Sequence, residues 1–389
     1  MRLQLNDLPD RARASSGGRD AHLTPRSIRA HASIVAAVVA AAVGRADAEP
    51  LPPQVTATVR VYLDDDHLTV VSPAAHGQVD AARVGVDVDA GIDAVTAASV
   101  DVITSASPRA FAERRLEAGV GLRVAATPTV TAAVHGLASH EHDFDALRVT
   151  GGVTTELARR NTTVELRGEL GRDLATDVGD PRFVGERTSG DATVALTQLV
   201  DPRTIIDVTV EGRAERGWHG SPYRRVWVAD PAQPVATAWR EATPRRLLAL
   251  AAALRVRRAI GDRWFATAIG RGYVDDWEVH SATATVELRC RLDDRTLIGA
   301  AARGYLQDGA AFWRRHQPAG TAPPRYRTAD RTLGPMGSAG LTVTASRDID
   351  ATGRSLAVAV GGLAWWFVDD AAQARRLAIT TTVTWTEPL

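Results

Sequence analysis

Period-two alternation sustained over about ten residues, and repeated along most of the chain, limits what this sequence can fold into. In Ile206 to Glu215, apolar or small residues (Ile206, Val208, Val210, Gly212, Ala214) alternate with Asp207, Thr209, Glu211, Arg213 and Glu215. In Ala282 to Leu292, Ala282, Ala284, Val286, Leu288, Cys290 and Leu292 alternate with Thr283, Thr285, Glu287, Arg289 and Arg291. Weaker copies occupy 83–93, 114–124, 128–138, 147–157, 163–171, 191–199, 246–257, 263–273, 296–305, 339–346, 355–367 and 377–386. Successive side chains of a strand point to opposite faces, so each segment carries one apolar and one polar face. Strands of soluble proteins average about five or six residues, whereas a tilted strand crossing a bilayer needs about nine to eleven. About fourteen segments of the longer kind predict an all-β fold: a transmembrane antiparallel up-and-down β-barrel of 12–16 strands, apolar outside and polar inside. A large soluble antiparallel sheet with one wet face is the competing architecture.

The spacing of the segments favours the barrel. Short connections near Ala125–Thr127, Ala158–Asn161, Val200–Arg203, Arg258–Asp262, Leu292–Arg295 and Arg347–Gly353 alternate with longer ones at 94–112, 172–190, 215–245 and 306–334. Two more, near 139–146 and 274–279, are modest. Short periplasmic turns and long external loops are the habit of bacterial barrels. The Ala/Leu/Arg-rich stretch Arg245–Ile260 has helical propensity, but the parity of the loops requires a strand there.

The N-terminus predicts export. An apolar run, Ser33 to Val43, follows Arg26 and Arg29 and precedes Ala46-Asp47-Ala48, which has the small-x-small form of a signal-peptidase site. Residues 1–48 read as a signal peptide, 49–80 as a hairpin, an extra strand pair or a periplasmic or lumenal piece, and 81–389 as the barrel. No later run is apolar over the roughly 18 residues that a spanning helix needs. These features together predict the cell outer membrane, with lipid and lipopolysaccharide as partners, and a periplasmic or surface protein as a further one.

Composition removes other classes. The 46 basic residues, all arginine, balance 46 acidic ones, so nucleic acid is not an expected partner. A single cysteine, Cys290, forbids an internal disulfide and a thiolate metal cluster. In the barrel reading Asp207, Glu211, Arg213, Glu287, Arg289 and Arg303 face the lumen. Trp264, Tyr273, Trp277, Tyr305, Trp365, Trp366 and Trp385, at strand ends, form the aromatic girdles.

Chemistry-bearing clusters are few. His135, His140, Glu141, His142, Asp143 and Asp145 are dense enough for a transition metal, but the run falls in an external turn, and solvated loop charge is the favoured reading. Asp64-Asp65-Asp66 lacks the spaced ligands of a calcium loop and reads as a hairpin tip. Asp275-Asp276 reads as a turn cap. His280 and Ser281 are adjacent on a strand, point to opposite faces and cannot pair as base and nucleophile. No nucleophile elbow or phosphate loop occurs. The expectation is a non-enzyme without a cofactor: a porin-like conduit for small solutes, or else a structural barrel that anchors a partner.

Several local motifs resemble the bacterial family called domain of unknown function 3570. They are Ser139-His140-Glu141-His142-Asp143-Phe144-Asp145, Asn161-Thr162-Thr163, Ser221-Pro222-Tyr223, Glu241 with Pro244-Arg245, Arg271-Gly272-Tyr273-Val274-Asp275-Asp276-Trp277, and Arg303-Gly304-Tyr305-Leu306-Gln307-Asp308-Gly309-Ala310-Ala311-Phe312-Trp313. Gly272 and Gly304 stand where a larger residue is commoner. The similarity runs over roughly 60–345. It implies an outer-membrane barrel and brings no activity.

Overall fold

A computed structural model describes residues 53–97, 111–229, 236–315, 317, 319, 323–368 and 374–389. The signal-peptide reading of 1–48 lies outside them. The strands are β1 (Gln54–Asp64), β2 (Leu68–Ala81), β3 (Val84–Ala97), β4 (Phe111–Thr127), β5 (Val130–His140), β6 (Phe144–Leu157), β7 (Thr162–Thr176), β8 (Val184–Asp201), β9 (Thr204–Gly217), β10 (Arg225–Val228), β11 (Thr237–Arg240), β12 (Arg246–Ile260), β13 (Trp264–Asp275), β14 (His280–Arg291), β15 (Thr296–Gln307), β16 (Met336–Asp348), β17 (Ser355–Phe367) and β18 (Arg375–Pro388). All but β10 and β11 form one closed antiparallel barrel, each strand paired with its sequence neighbours and β1 with β18. The sixteen strands stand at the upper limit of the sequence reading. The two beyond fourteen are β1 and β2. Residues 49–80 therefore contribute an extra strand pair, and the barrel begins at Gln54 rather than at residue 81.

The loop parity holds. At one end lie 82–83, 128–129, 158–161, 202–203, 261–263, 292–295 and 349–354, with both ends of the barrel sequence. Gly261 adopts φ 63° in its turn, a value glycine reaches without the Cβ clash other residues suffer. At the opposite end lie 65–67, 98–110, 141–143, 177–183, 218–245, 276–279, 308–335 and 368–374. The Ala/Leu/Arg-rich stretch is strand β12, paired on both sides.

Alternation assigns the two faces. Val120, Leu166, Leu170, Val286, Leu306, Leu341 and Ile379 project outward, and Leu170 and Val286 keep 71% and 62% of their surface exposed. Their strand neighbours turn inward, where Asp173 is 3% and Asp207 6% exposed. A soluble one-sided sheet would bury the first set. Here the apolar set is outside and the charged set inside, the order a lipid-facing barrel requires.

Candidate functional site: a charged lumen and a loop cap

The inner wall is a lattice of ion pairs made by residues of matching parity on neighbouring strands or, for Arg271 and Glu211, on strands either side of β12. On β6, β7 and β8, Asp173 lies 2.5 Å from Arg148 and accepts 2.8 Å from Arg187 Nε. Arg187 also reaches Glu215 on β9 at 3.4 Å. Farther round, Arg213 binds Asp191 at 2.5 Å, Arg271 binds Glu211 at 2.9 Å, and Asp207 holds Arg255 at 3.2 Å and Arg257 at 3.1 Å. A carboxylate left alone on a low-dielectric wall is costly, and pairing is what lets it stay there charged.

The sequence-derived lumen residues fall on this wall. Asp207, Glu211 and Arg213 belong to the lattice. Glu287 and Arg289 pair with each other, and Arg303 lies over the Tyr305 ring, 5.5 Å from its centroid. Sequence reasoning passed over Arg148, Asp173, Arg187, Arg255, Arg257 and Arg271, which follow the same period-two rule. At the short-turn end the wall opens on a cavity of about 1310 Å³, where Arg255, Arg257, Arg289 and Arg291 line the side with Glu287.

The girdle divides. Trp264 and Trp385 point outward at the short-turn end and Trp366 at the other, with 38–45% of each exposed. Tyr273 shares the inward parity of Arg271 and donates to Asp275 at 2.8 Å. Tyr305 donates to Gln307 on the same inner face. Trp365 neighbours the outward Trp366 and so faces in, opposite the buried Ser338. Trp277 is buried among Val279, Ala310 and Trp313, and donates from Nε1 to the Arg246 carbonyl at 2.8 Å.

That last cluster belongs to a cap over the long-loop end. Loops 218–245 and 308–335 are joined by a bridge of Ala242 to Arg327. The buried Glu241 carboxylate accepts from Thr328 and from Ser221 N–H at 2.9 Å. The cap is then tied to the rim. Tyr223 donates to Asp143, its neighbour Arg224 lies 2.5 Å from Asp330, and the next residue, Arg331, lies 2.8 Å from Asp66. Asp143–Tyr223–Arg224–Asp330–Arg331–Asp66 is thus one chord from the β5–β6 turn to the β1–β2 turn. Arg240 reaches Asp177 at 2.9 Å, and Val368 N–H donates to the Pro335 carbonyl at 3.0 Å. Seven of the eight connections at this end are part of the cap or touch it. The eighth, 98–110, lies outside the described residues. Burial and the hydrogen bond to Asp143 push the Tyr223 phenol up to about 12.

The His/Asp run breaks into three neighbourhoods. His135 faces the lumen and meets Asp89 at 2.9 Å. His140 pairs with Asp145 at 2.6 Å across the turn, both well exposed. Glu141 and Asp143 converge on Glu113. Burial, more than nearby charge, holds the Glu141 carboxyl above its usual range. Asp64 caps its own hairpin tip by accepting from Asp66 and Leu68 N–H, and Asp275 caps its turn by accepting from Trp277 and Val279 N–H. Both match the turn readings.

No curated protein matches the chain in sequence. Among solved structures it is similar to CdiB from Acinetobacter baumannii, at 6% identity and TM-score 0.52, over 87% of this chain and 60% of that one. It is similar also to the siderophore receptor PirA from Pseudomonas aeruginosa, at 10% identity and TM-score 0.43, over 82% of this chain and 57% of that one. A bacterial polysaccharide outer membrane secretin is similar at 8% identity and TM-score 0.48, over 86% and 97% of the two chains. The chain spans less than two thirds of the first two, and at such identities the likeness is one of fold. The motifs of the family resemblance from Ser221 onward gather in the cap and the strand ends beneath it. The family model described as a protein of unknown function, DUF3570, matches residues 175–360, the stretch that builds this cap.

Proposed function

We propose that the protein is an outer-membrane barrel, not an enzyme, that passes small solutes through a lumen constricted by its own external loops. The observation that carries this reading is the pairing of an apolar outer wall with a charged inner wall that encloses the arginine-lined vestibule. The twelve-residue strand β14 extends about 40 Å at about 3.4 Å per residue. Tilted by about 45°, it covers close to 30 Å of hydrocarbon. Trp264, Trp385 and Trp366 then meet the two lipid interfaces, the short turns lie in the periplasm, and the cap faces outward toward lipopolysaccharide. Conductance across a planar bilayer tests the reading. The expected result is small steps for the intact chain and larger ones once loop 308–335 is shortened. Folded protein that gives no steps in either form refutes it.

A second reading, a barrel that anchors a surface partner, is favoured by the cap itself. The hairpin β10–β11 exposes Trp227 and Trp239 at 56% and 38%, and exposed aromatics on a braced loop suit recognition. Crosslinking in cells with Trp227→Ala as control separates it from the first: a partner captured only by the intact hairpin supports anchoring.

A further inference from the structure

Inside the barrel, away from the cap, four metal-ligating side chains from three strands meet over a gap in the wall. Asp87 and Asp89 lie on β3 and His135 on β5, with β4 between them. In register, Asp87, Gly121 and His135 form one row across the three strands, and Asp89 stands opposite Gly119. Neighbouring strands are about 4.8 Å apart, so Asp87 and His135 start almost 10 Å apart and meet only because β4 carries no side chain between them. A Cβ on Gly121 would fall 2.2 Å from Asp87 Oδ2, and one on Gly119 would fall 2.9 Å from His135 Cε1. The two glycines keep the space that the cluster fills.

The donor atoms converge. One from each of Asp87, Asp89 and His135 lie within 4.8 Å of one another. His135 Nε2 is 2.9 Å from Asp89 Oδ2 and 3.7 Å from Asp87 Oδ2. An ion with bonds of about 2.0–2.2 Å separates its ligand atoms by at most about 4.4 Å, so a small inward movement would close the set. The other oxygen of Asp89 contacts His76 Nδ1 on β2 at 2.8 Å. A carboxylate held by a second hydrogen bond in this way is the usual support of a metal ligand. Among the described residues no arginine pairs with Asp87 or Asp89, in contrast to Asp173 and Asp207. Arg123, two positions from Gly121, is engaged by Asp80 at 2.9 Å. Two carboxylates bring the two negative charges that a dication balances.

We propose that Asp87, Asp89 and His135 bind a divalent first-row transition ion on the inner wall, with His76 as the positioning residue for Asp89. The mixed nitrogen and oxygen donors favour zinc, manganese, iron or cobalt over calcium. The site needs no solute flow, so it stands or falls apart from the conduit reading.

The test is titration of the folded, chelator-treated full chain in detergent with Co²⁺, followed by its visible absorption, and with Zn²⁺ by calorimetry. One equivalent is expected. His135→Ala and Asp89→Asn remove it, and His76→Ala weakens it about 10- to 100-fold while the cobalt bands shift. Gly121→Val keeps every ligand residue yet drives Asp87 out of the gap, and should abolish binding, with the gel-mobility change on boiling confirming a closed barrel. Binding lost instead in His140→Ala, or unchanged in His135→Ala, overturns the proposal, as does no saturable binding by the folded intact chain.

Discussion

Arg331, in the second long loop, places its guanidinium 2.8 Å from the Asp66 carboxylate at the tip of the first barrel hairpin. Arg376 of β18 meets the same carboxylate at 2.7 Å, so one acid holds the cap, the first hairpin and the last strand together. The side chains of Arg331 and Asp66 keep only 6% and 12% of their surface. Replacing Asp66 with alanine leaves buried guanidinium without that partner, at a cost of about 3 kcal/mol. That is more than a hundredfold in the equilibrium for lifting the cap. Trypsin should cut Asp66→Ala within 308–335 far faster than the parent while the barrel band persists on unboiled gels. Equal cleavage rates would count against the tie.

Glu141 gives the rim at the β5–β6 turn a pH dependence. Its carboxyl is held above the usual range chiefly by burial, which with the nearby Asp143 outweighs the lowering effect of Arg115. The folded form therefore binds the proton more tightly than the unfolded chain. The stability linked to Glu141 is complete below the ordinary carboxylate value and is lost as pH rises through the raised folded value. Glu141→Gln should raise the unfolding midpoint at pH 7, and the gap from the parent should close near pH 4. A gap constant with pH would show that Glu141 is not the group responsible.

The bilayer reading makes opposite predictions for adjacent residues. Val286 projects outward from the middle of β14, and Thr285 faces in. Val286→Arg should cost about 2–4 kcal/mol in folding into liposomes, measured by urea titration. Thr285→Arg, on the polar side, should cost far less. Equal costs would remove the lipid from the argument.

Arg289 and Arg291 project into the vestibule, Arg289 beside Glu287 and Arg291 over the Phe265 ring at 5.3 Å. Charge concentrated on a lumen wall raises the local counter-ion concentration about tenfold or more. The Arg289→Glu, Arg291→Glu double variant should move permeability from anions toward cations by several-fold to about tenfold, read as a reversal potential in a salt gradient.

The strands, their parity and the ends of the long loops were legible because burial on one face imposes period two wherever a strand is long. β2 was legible only in its first residues, because Pro73, Ala74, Ala75 and Gly77 blur its alternation and Ser72 and Pro73 leave a gap in its pairing with β3. The girdle was legible only in part. Tyr273 shares its parity with Arg271 and Asp275, so the sequence already held the sign that it points inward. Trp365 and Trp366, being adjacent, could not both face out. The cap and the metal cluster stayed hidden for a different reason. Asp87 and His135 meet only through the register of three strands, and Asp66 and Arg331 only through closure, neither of which a linear pattern carries.

β1 and β18 pair from Gln54 with Pro388 to Asp64 with Ala378. During synthesis, then, any chain that stops short of β18 has two bare sheet edges, and the strand that satisfies the first is the last of the barrel strands. An unprotected edge recruits other chains. The seam therefore places barrel closure after the synthesis of β18, and until then the β1 edge is the one a chaperone would have to shield.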